Sequence, residues 1–197
     1  LNGGSRSILL VERVILNFMQ RMSGIATLTR AFVDAIDGTG CRVLDTRKTT
    51  PGLRIIEKWA VRIGGGNNHR MCLHDMIMVK ANHAAFAGGI PQALLRAQAY
   101  QRERGMSIPI EAETRNLIEV GQVLSAGGVQ RIMLDNFDTA TLRQAVQLIN
   151  GRFETEASGG ITLKTARGYA ECGVDFISVG ALTHSAGSLD MSLKAMG

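Results

Sequence analysis

Apolar residues recur three and four positions apart near the start of the chain, where Ile8, Leu9, Val11, Val14, Ile15, Phe18, Met19 and Met22 form a stripe. The spacing predicts a helix over residues 5–22. A second helix is predicted over 25–36, stopped by Asp37-Gly38. The texture then changes, and short β-type runs alternate with amphipathic stretches. Residues 41–45, 76–79, 107–113, 131–134, 153–157 and 175–179 read as strands. Helices are predicted over 53–63, 91–104, 117–124, 139–149 and 162–172, with a last one over 186–197. In the first of these, Ile55, Ile56, Trp59 and Ala60 form the expected inner face, and Gly64 the stop. Strand and helix alternating at even spacing is the pattern of a parallel sheet, either a (β/α) barrel or a doubly wound sheet. No Gly-x-Gly-x-x-Gly follows the first strand, which disfavours the dinucleotide-binding form of the second.

Composition narrows this little. The 197 residues, 45% hydrophobic and 20% charged, suit one good-sized domain. No stretch approaches the roughly 18 apolar residues of a membrane span. No basic-then-apolar leader opens the chain, so the expected location is the cytoplasm. Three widely spaced cysteines without a C-x-x-C pair argue against a disulfide framework and a zinc knuckle. The net charge of +5 invites a nucleic-acid reading, but aromatics are only 5% and no long basic run occurs. Several cations instead follow strand-like runs, as a pocket for a small anion would require.

In barrels and open α/β sheets, function collects at the carboxyl ends of the strands. The first strand ends in Asp45-Thr46-Arg47-Lys48-Thr49-Thr50. Two adjacent cations there call for anions: arginine offers a planar fork to carboxylate or phosphate, lysine a point charge. Gly64-Gly65-Gly66 allows unusual dihedrals and leads to His69-Arg70, and Lys80 closes the run 76–79. Glu111 and Glu113 fall on one face of their strand, and Asp135 ends another. Such carboxylates suit ribose hydroxyls or a Mg²⁺ carried by a phosphorylated substrate, while one of the two glutamates could equally sit in a structural ion pair. Ser158-Gly159-Gly160 precedes a helix, and Ser178-Val179-Gly180-Ala181 ends the last strand, so both read as phosphate cradles. A metal site from His69, Cys72, His74 and His83 is rejected, because the spacing matches no metal motif.

Three segments, Asp45-Thr46-Arg47-Lys48-Thr49-Thr50-Pro51-Gly52, Gly64-Gly65-Gly66-Asn67-Asn68-His69-Arg70 and Ile132-Met133-Leu134-Asp135-Asn136, resemble signatures of the quinolinate phosphoribosyltransferase family. So do Glu156-Ala157-Ser158-Gly159-Gly160-Ile161 and Ile177-Ser178-Val179-Gly180-Ala181-Leu182-Thr183. They come in the family's order, from about Gly4 onward. The resemblance implies transfer of phosphoribose from phosphoribosyl pyrophosphate to quinolinate, with Mg²⁺ and loss of CO₂, in NAD biosynthesis. It implies that Arg47, His69, Arg70 and Lys80 line the dicarboxylate pocket with Lys48 near the pyrophosphate. Glu113 and Asp135 would hold ribose and metal, and Ser158, Gly159, Gly160, Gly180 and Ala181 the 5′-phosphate. Arg13 matches an arginine that the family donates across a dimer interface. The implied fold is an incomplete α/β barrel over 39–185 plus an N-terminal sandwich domain represented only by its helices, 1–38. Alternatives are a phosphoribosyltransferase for another acidic heterocycle and a phosphate-binding barrel isomerase. Neither a nucleic acid nor a membrane is an expected partner.

Overall fold

Alternate residues of a strand point to opposite faces of its sheet, and here the two sets differ sharply in chemistry. In the computed structural model, which describes residues 3–195, the chain runs α1 (Ser5–Ala35), β1 (Arg42–Leu44), α2 (Arg54–Ile63), β2 (Ile77–Val79), α3 (Ala81–Ala87), α4 (Ile90–Arg104) and β3 (Ile110–Thr114). It continues α5 (Leu117–Ala126), β4 (Arg131–Asp135), α6 (Thr139–Ile149), β5 (Glu154–Ser158), α7 (Leu163–Ala170), β6 (Phe176–Ser178) and α8 (Ala181–His184). The six strands form one parallel sheet in the order β1-β6-β5-β4-β3-β2. Register aligns Val43, Ile177, Ala157 and Leu134 across four strands, and these join the apolar core packed against the helices. The other set reads Arg42, Phe176, Glu156, Met133 and Glu113 along one row, with Glu154, Arg131, Glu111 and Met78 along the next. The inner face is therefore mostly polar, where an ordinary barrel holds layers of branched aliphatics.

Beyond β1, Leu44 makes a parallel bridge to Asn67. Two residues on, His69 reaches across to glutamates of β3 and β5. The sheet thus curls into a barrel with a gap between this segment and β2, the incomplete (β/α) barrel that the family resemblance implies. No described helix is long and apolar enough to cross a membrane.

The helices differ from expectation at several places, the unanticipated short α8 among them. The two opening helices are a single 31-residue helix, α1. Gly24 does not interrupt it; a Cβ there would lie 1.8 Å from the Gly187 carbonyl oxygen. The glycine is kept for a close crossing of chains, not for a break. Gly24→Ala, normally favourable inside a helix by up to about 1 kcal/mol, is expected to destabilise by about 1–3 kcal/mol through overpacking. The urea unfolding midpoint measures this.

No helix forms over 186–195. That segment crosses α1, where Leu189 N–H donates to the Gln20 carbonyl and the Gln20 amide to the Met191 carbonyl, both at 3.1 Å; residues 196–197 lie outside the described part. Helix α3 was not anticipated. It buries no side chain, and Phe86 is exposed, so no apolar stripe marks it.

A further difference concerns α2, where Ala60 is buried as expected but Ile55 and Trp59 of the expected inner face are turned outward. Ile55 is 74% and Trp59 58% exposed, while Glu57, Lys58, Ala60 and Val61 are buried. The cause lies in what Glu57 and Lys58 reach.

Candidate active site

A cavity of about 730 Å³ opens at the carboxyl ends of the strands, within the usual range for small-ligand sites. Its lining brings together Arg47, Lys48, His69, Arg70, Lys80, Glu113, Asp135, Ser158, Gly159, Gly160, Ser178, Gly180 and Ala181. Arg13, exposed on α1, is not part of it. Thr46, Met78, Met133, Asn136, Glu156, Ile161, Thr162 and His184 also line the cavity and were not singled out from sequence.

The cationic wall is built from below by buried charge. Asp45 is fully buried and accepts from the Lys58 ammonium, from the Asn68 amide at 2.6 Å and from the His69 backbone N–H at 2.9 Å. Lys58, equally buried, also donates to the His69 carbonyl at 3.0 Å. Both backbone polar groups of His69 are thereby fixed. Burial pushes the Asp45 carboxyl up and the Lys58 ammonium down, each against the pull of the other. Next to it, Glu57 takes Arg21 of α1 at 2.8 Å and the Thr50 N–H and hydroxyl at 3.0 and 2.7 Å. Arg21 goes on to the carbonyls of Thr183 and Ala186. The loop after β1 is thus pinned to α1, α2 and α8, and Thr183 completes it by donating to the Lys48 carbonyl at 2.8 Å. These roles explain why Asp45 and Thr50 belong to the motif around Arg47 and Lys48 without lining the cavity themselves.

The wall itself is short of anions. Arg70 donates one Nη to the Met76 carbonyl at 3.1 Å, but its Nε is buried with no partner among the described residues. Burial, and then the neighbouring charge of Arg47, depress its affinity for its proton. Two guanidiniums held together against their repulsion are a ready site for carboxylates. Lys80 lies 3.1 Å from Glu113, whose other oxygen takes the Ala81 N–H at 3.4 Å. Asp135, held by the Asn136 amide at 2.8 Å, stands at the end of the next strand. Two carboxylates on adjacent strands of one cavity fit a hard divalent cation.

Opposite lie the glycine turns. Gly159 has φ of 102°, and a Cβ there would meet the Asn136 side-chain oxygen at 2.2 Å. With Gly160 also at positive φ, successive backbone groups turn together just before the N-terminus of α7, a concave arrangement suited to an anion. In the other cradle Ser178 lines the cavity although it is almost fully buried, and it also stands beside Glu156. Gly180 and Ala181 remain at the cavity, beside His184.

His69, at the floor, is 5% exposed in its side chain, and its Nε2 lies 2.9 Å from Glu111 and 3.3 Å from Glu156, both fully buried. Glu111 thus faces His69 in the interior, while Glu113 pairs with Lys80 at the cavity. Burial works against charge on His69, but the two carboxylates outweigh it and push its pKa up to about 9. Burial and the charge of Glu156 push Glu111 up to about 7. Both shifts describe one extra proton in the cluster. The Arg70 backbone N–H donates to His69 Nδ1 at 2.7 Å, so that nitrogen carries a lone pair. We therefore assign the extra proton to the carboxylates, and Nε2–H to a neutral ring. His69, Glu111 and Glu156 have the spacing of a metal trio, their nearest atoms within 4.8 Å of one another. In this tautomer Nε2 has no lone pair for an ion, and the Arg131 guanidinium, 3.2 Å from Glu156, supplies positive charge.

Comparisons with known proteins show the family. The family model described as "Quinolinate phosphoribosyl transferase, C-terminal domain" matches residues 25–194. The chain is 52% identical to a protein of Arabidopsis thaliana named "Nicotinate-nucleotide pyrophosphorylase [carboxylating], chloroplastic", covering 98% of this chain and 59% of that one. It is 45% identical to a "Probable nicotinate-nucleotide pyrophosphorylase [carboxylating]" of Bacillus subtilis, covering 98% and 65%. The crystal structure of NadC from Streptococcus pyogenes superposes with a TM-score of 0.92 at 46% identity, over 98% of this chain and 66% of that one. The chain spans about three-fifths of the length of the curated relatives it matches.

Proposed function

We propose that this chain, which belongs to the quinolinate phosphoribosyl transferase family, carries the phosphoribosyl-transfer site of such an enzyme. Quinolinate and phosphoribosyl pyrophosphate would give nicotinate mononucleotide, pyrophosphate and CO₂. The observation that carries this reading is the pair Arg47 and Arg70 at one cavity, with Arg70 Nε buried and unpartnered. A dicarboxylate supplies the two anions that this wall lacks, and Lys80 and Lys48 add charge for carboxylate and pyrophosphate.

In this reading the pyridine nitrogen displaces pyrophosphate at the ribose anomeric carbon. The nucleotide then loses its C2 carboxylate as CO₂, and the electron pair left on C2 is stabilised by the adjacent cationic nitrogen until a proton arrives. The protein's part is orientation and charge complementarity, with no covalent adduct. Glu113 and Asp135 would hold ribose hydroxyls and a Mg²⁺ brought by the substrate; the ion, when bound, neutralises charge on departing pyrophosphate. The turns at 158–160 and 180–181 would hold the 5′-phosphate. Incubating the chain with quinolinate, phosphoribosyl pyrophosphate and Mg²⁺ should yield nicotinate mononucleotide. Turnover of nicotinate but not of quinolinate would reject the dicarboxylate assignment.

We assign Arg13 to the cavity of a second copy of the chain. It stands on the exposed half of α1 among exposed Leu9, Leu10, Val14 and Phe18, which such a copy would cover. Mixing inactive Arg13→Ala and Arg47→Ala proteins should then restore part of the activity, since some mixed dimers carry one intact site. No recovery on mixing would remove this assignment. For location we retain the cytoplasm; imaging a fluorescent fusion tests it.

A further inference from the structure

The reading of the cavity as a dicarboxylate site leaves three ionisable groups at and below its floor unused, Glu111, Glu156 and the partly buried Arg131. Glu111 and Glu156 are fully buried, yet Glu111 Oε1, Glu111 Oε2 and Glu156 Oε1 lack a well-aligned hydrogen-bond partner. Arg131 reaches Glu156 at 3.2 Å and Glu154 at 2.9 Å, and its guanidinium stacks 4.1 Å from the Phe176 ring, with Arg42 also stacked on that ring at 4.3 Å. Buried carboxylates this poorly paired are expensive to keep, and hydrophobic residues would fill a barrel interior at less cost. Their one shared neighbour on the cavity side is His69.

His69 has no nitrogen to offer a ligand. Nδ1 accepts the Arg70 backbone N–H at 2.7 Å, and Nε2 lies between Glu111 and Glu156, in line with neither. That shared contact suits an Nε2–H facing two acceptors. The ring therefore bridges the barrel interior to the backbone of the next residue, whose guanidinium lines the cavity.

We propose that Glu111 and Glu156 are positioning residues that hold His69 by its Nε2 side, so that Nδ1 anchors the Arg70 backbone and aims the Arg70 guanidinium into the dicarboxylate site. His69, on this account, acts on the substrate through Arg70 and does not bind it directly. The proposal deepens the functional reading above and depends on it for its kinetic consequences, though not for its geometry.

Two measurements test it. Nitrogen-15 NMR of histidine-labelled protein, assigned with a His69→Gln variant, should show Nε2 protonated and Nδ1 bare in the ligand-free chain. A protonated Nδ1 would overturn the proposal. This readout needs no turnover, so it stands even if the chain makes no nicotinate mononucleotide. Where turnover is observed, Glu111→Gln and Glu156→Gln should each raise the KM for quinolinate by about tenfold. The KM for phosphoribosyl pyrophosphate should stay within about twofold. Equal effects on both substrates, or none on either, would mean that the carboxylates are structural only. Should either variant fail to fold, the tautomer of the unsubstituted protein still decides.

Discussion

Arg70→Ala is expected to lower kcat/KM for quinolinate on the order of 10²–10³-fold, while the fold stays as stable as before or gains slightly. The two effects have one cause. Arg70 Nε is buried without a partner, and burial and Arg47 both act against its charge. An uncompensated cation of this kind burdens the empty protein and serves only when an anion arrives. Losing a desolvated charge contact costs about 2–5 kcal/mol of binding, which brackets the expected rate loss at roughly 1.4 kcal/mol per decade. Removing the same group from the ligand-free chain relieves strain between like charges, as at many sites where stability is given up for function. Arg70→Lys should recover little, because an ammonium lacks the planar fork. Steady-state kinetics with quinolinate, beside a urea titration, decide the matter; unchanged kinetics would remove Arg70 from the site.

Lys58→Met should have the opposite profile, with a large loss of stability. Asp45 would keep the Asn68 amide and the His69 N–H but lose the one cation that contacts it among the described residues. Breaking a buried pair on one side typically costs about 3–5 kcal/mol. For a chain of this size that lowers Tm on the order of 10 °C. The KM for quinolinate should rise as well, since Lys58 also holds the His69 carbonyl at 3.0 Å. The double variant Asp45→Asn with Lys58→Met, which removes both charges, should regain part of the lost stability. Thermal melting followed by circular dichroism gives the comparison, and a double variant no better than the single one would refute the pairing account.

The same residues mark what could be read from the sequence. The βα rhythm was legible because the apolar half of each strand faces the helices, as Val43, Ile177, Ala157 and Leu134 do. The cavity was legible because Arg47, Lys80, Glu113 and Asp135 fall at or just past strand ends, where the fold gathers them, with Arg70 brought in by the segment that bridges at Asn67. Helix α2 was misread because Glu57 and Lys58 look like a solvent face. Nothing local shows that each will meet a buried partner brought by α1 or by the loop after β1. Glu156 and Arg131 went unassigned for a similar reason. Alternation places Glu154, Glu156 and Ser158 on one side of β5, and Arg131, Met133 and Asp135 on one side of β4, but not which side is enclosed. Nothing local marks Gly24 as a crossing point, since its neighbour Gly187 is distant in sequence and close in space.

The seam between β1 and β6 has a consequence for how the molecule is made. Residues 42–44 pair with 176–178, and the Lys48 carbonyl waits for the Thr183 hydroxyl. Both cradle residues at 180–181 lie beyond that seam. A chain emerging from the ribosome can therefore form the pairs among β2 to β6 early, but it holds no finished cavity until β6 has been synthesised and has closed on β1. Closure across so long a loop is entropically slow relative to local pairing. Ligand binding should consequently be the last property to appear during refolding, later than helical signal or strand protection, and it can serve as the clock for the final step.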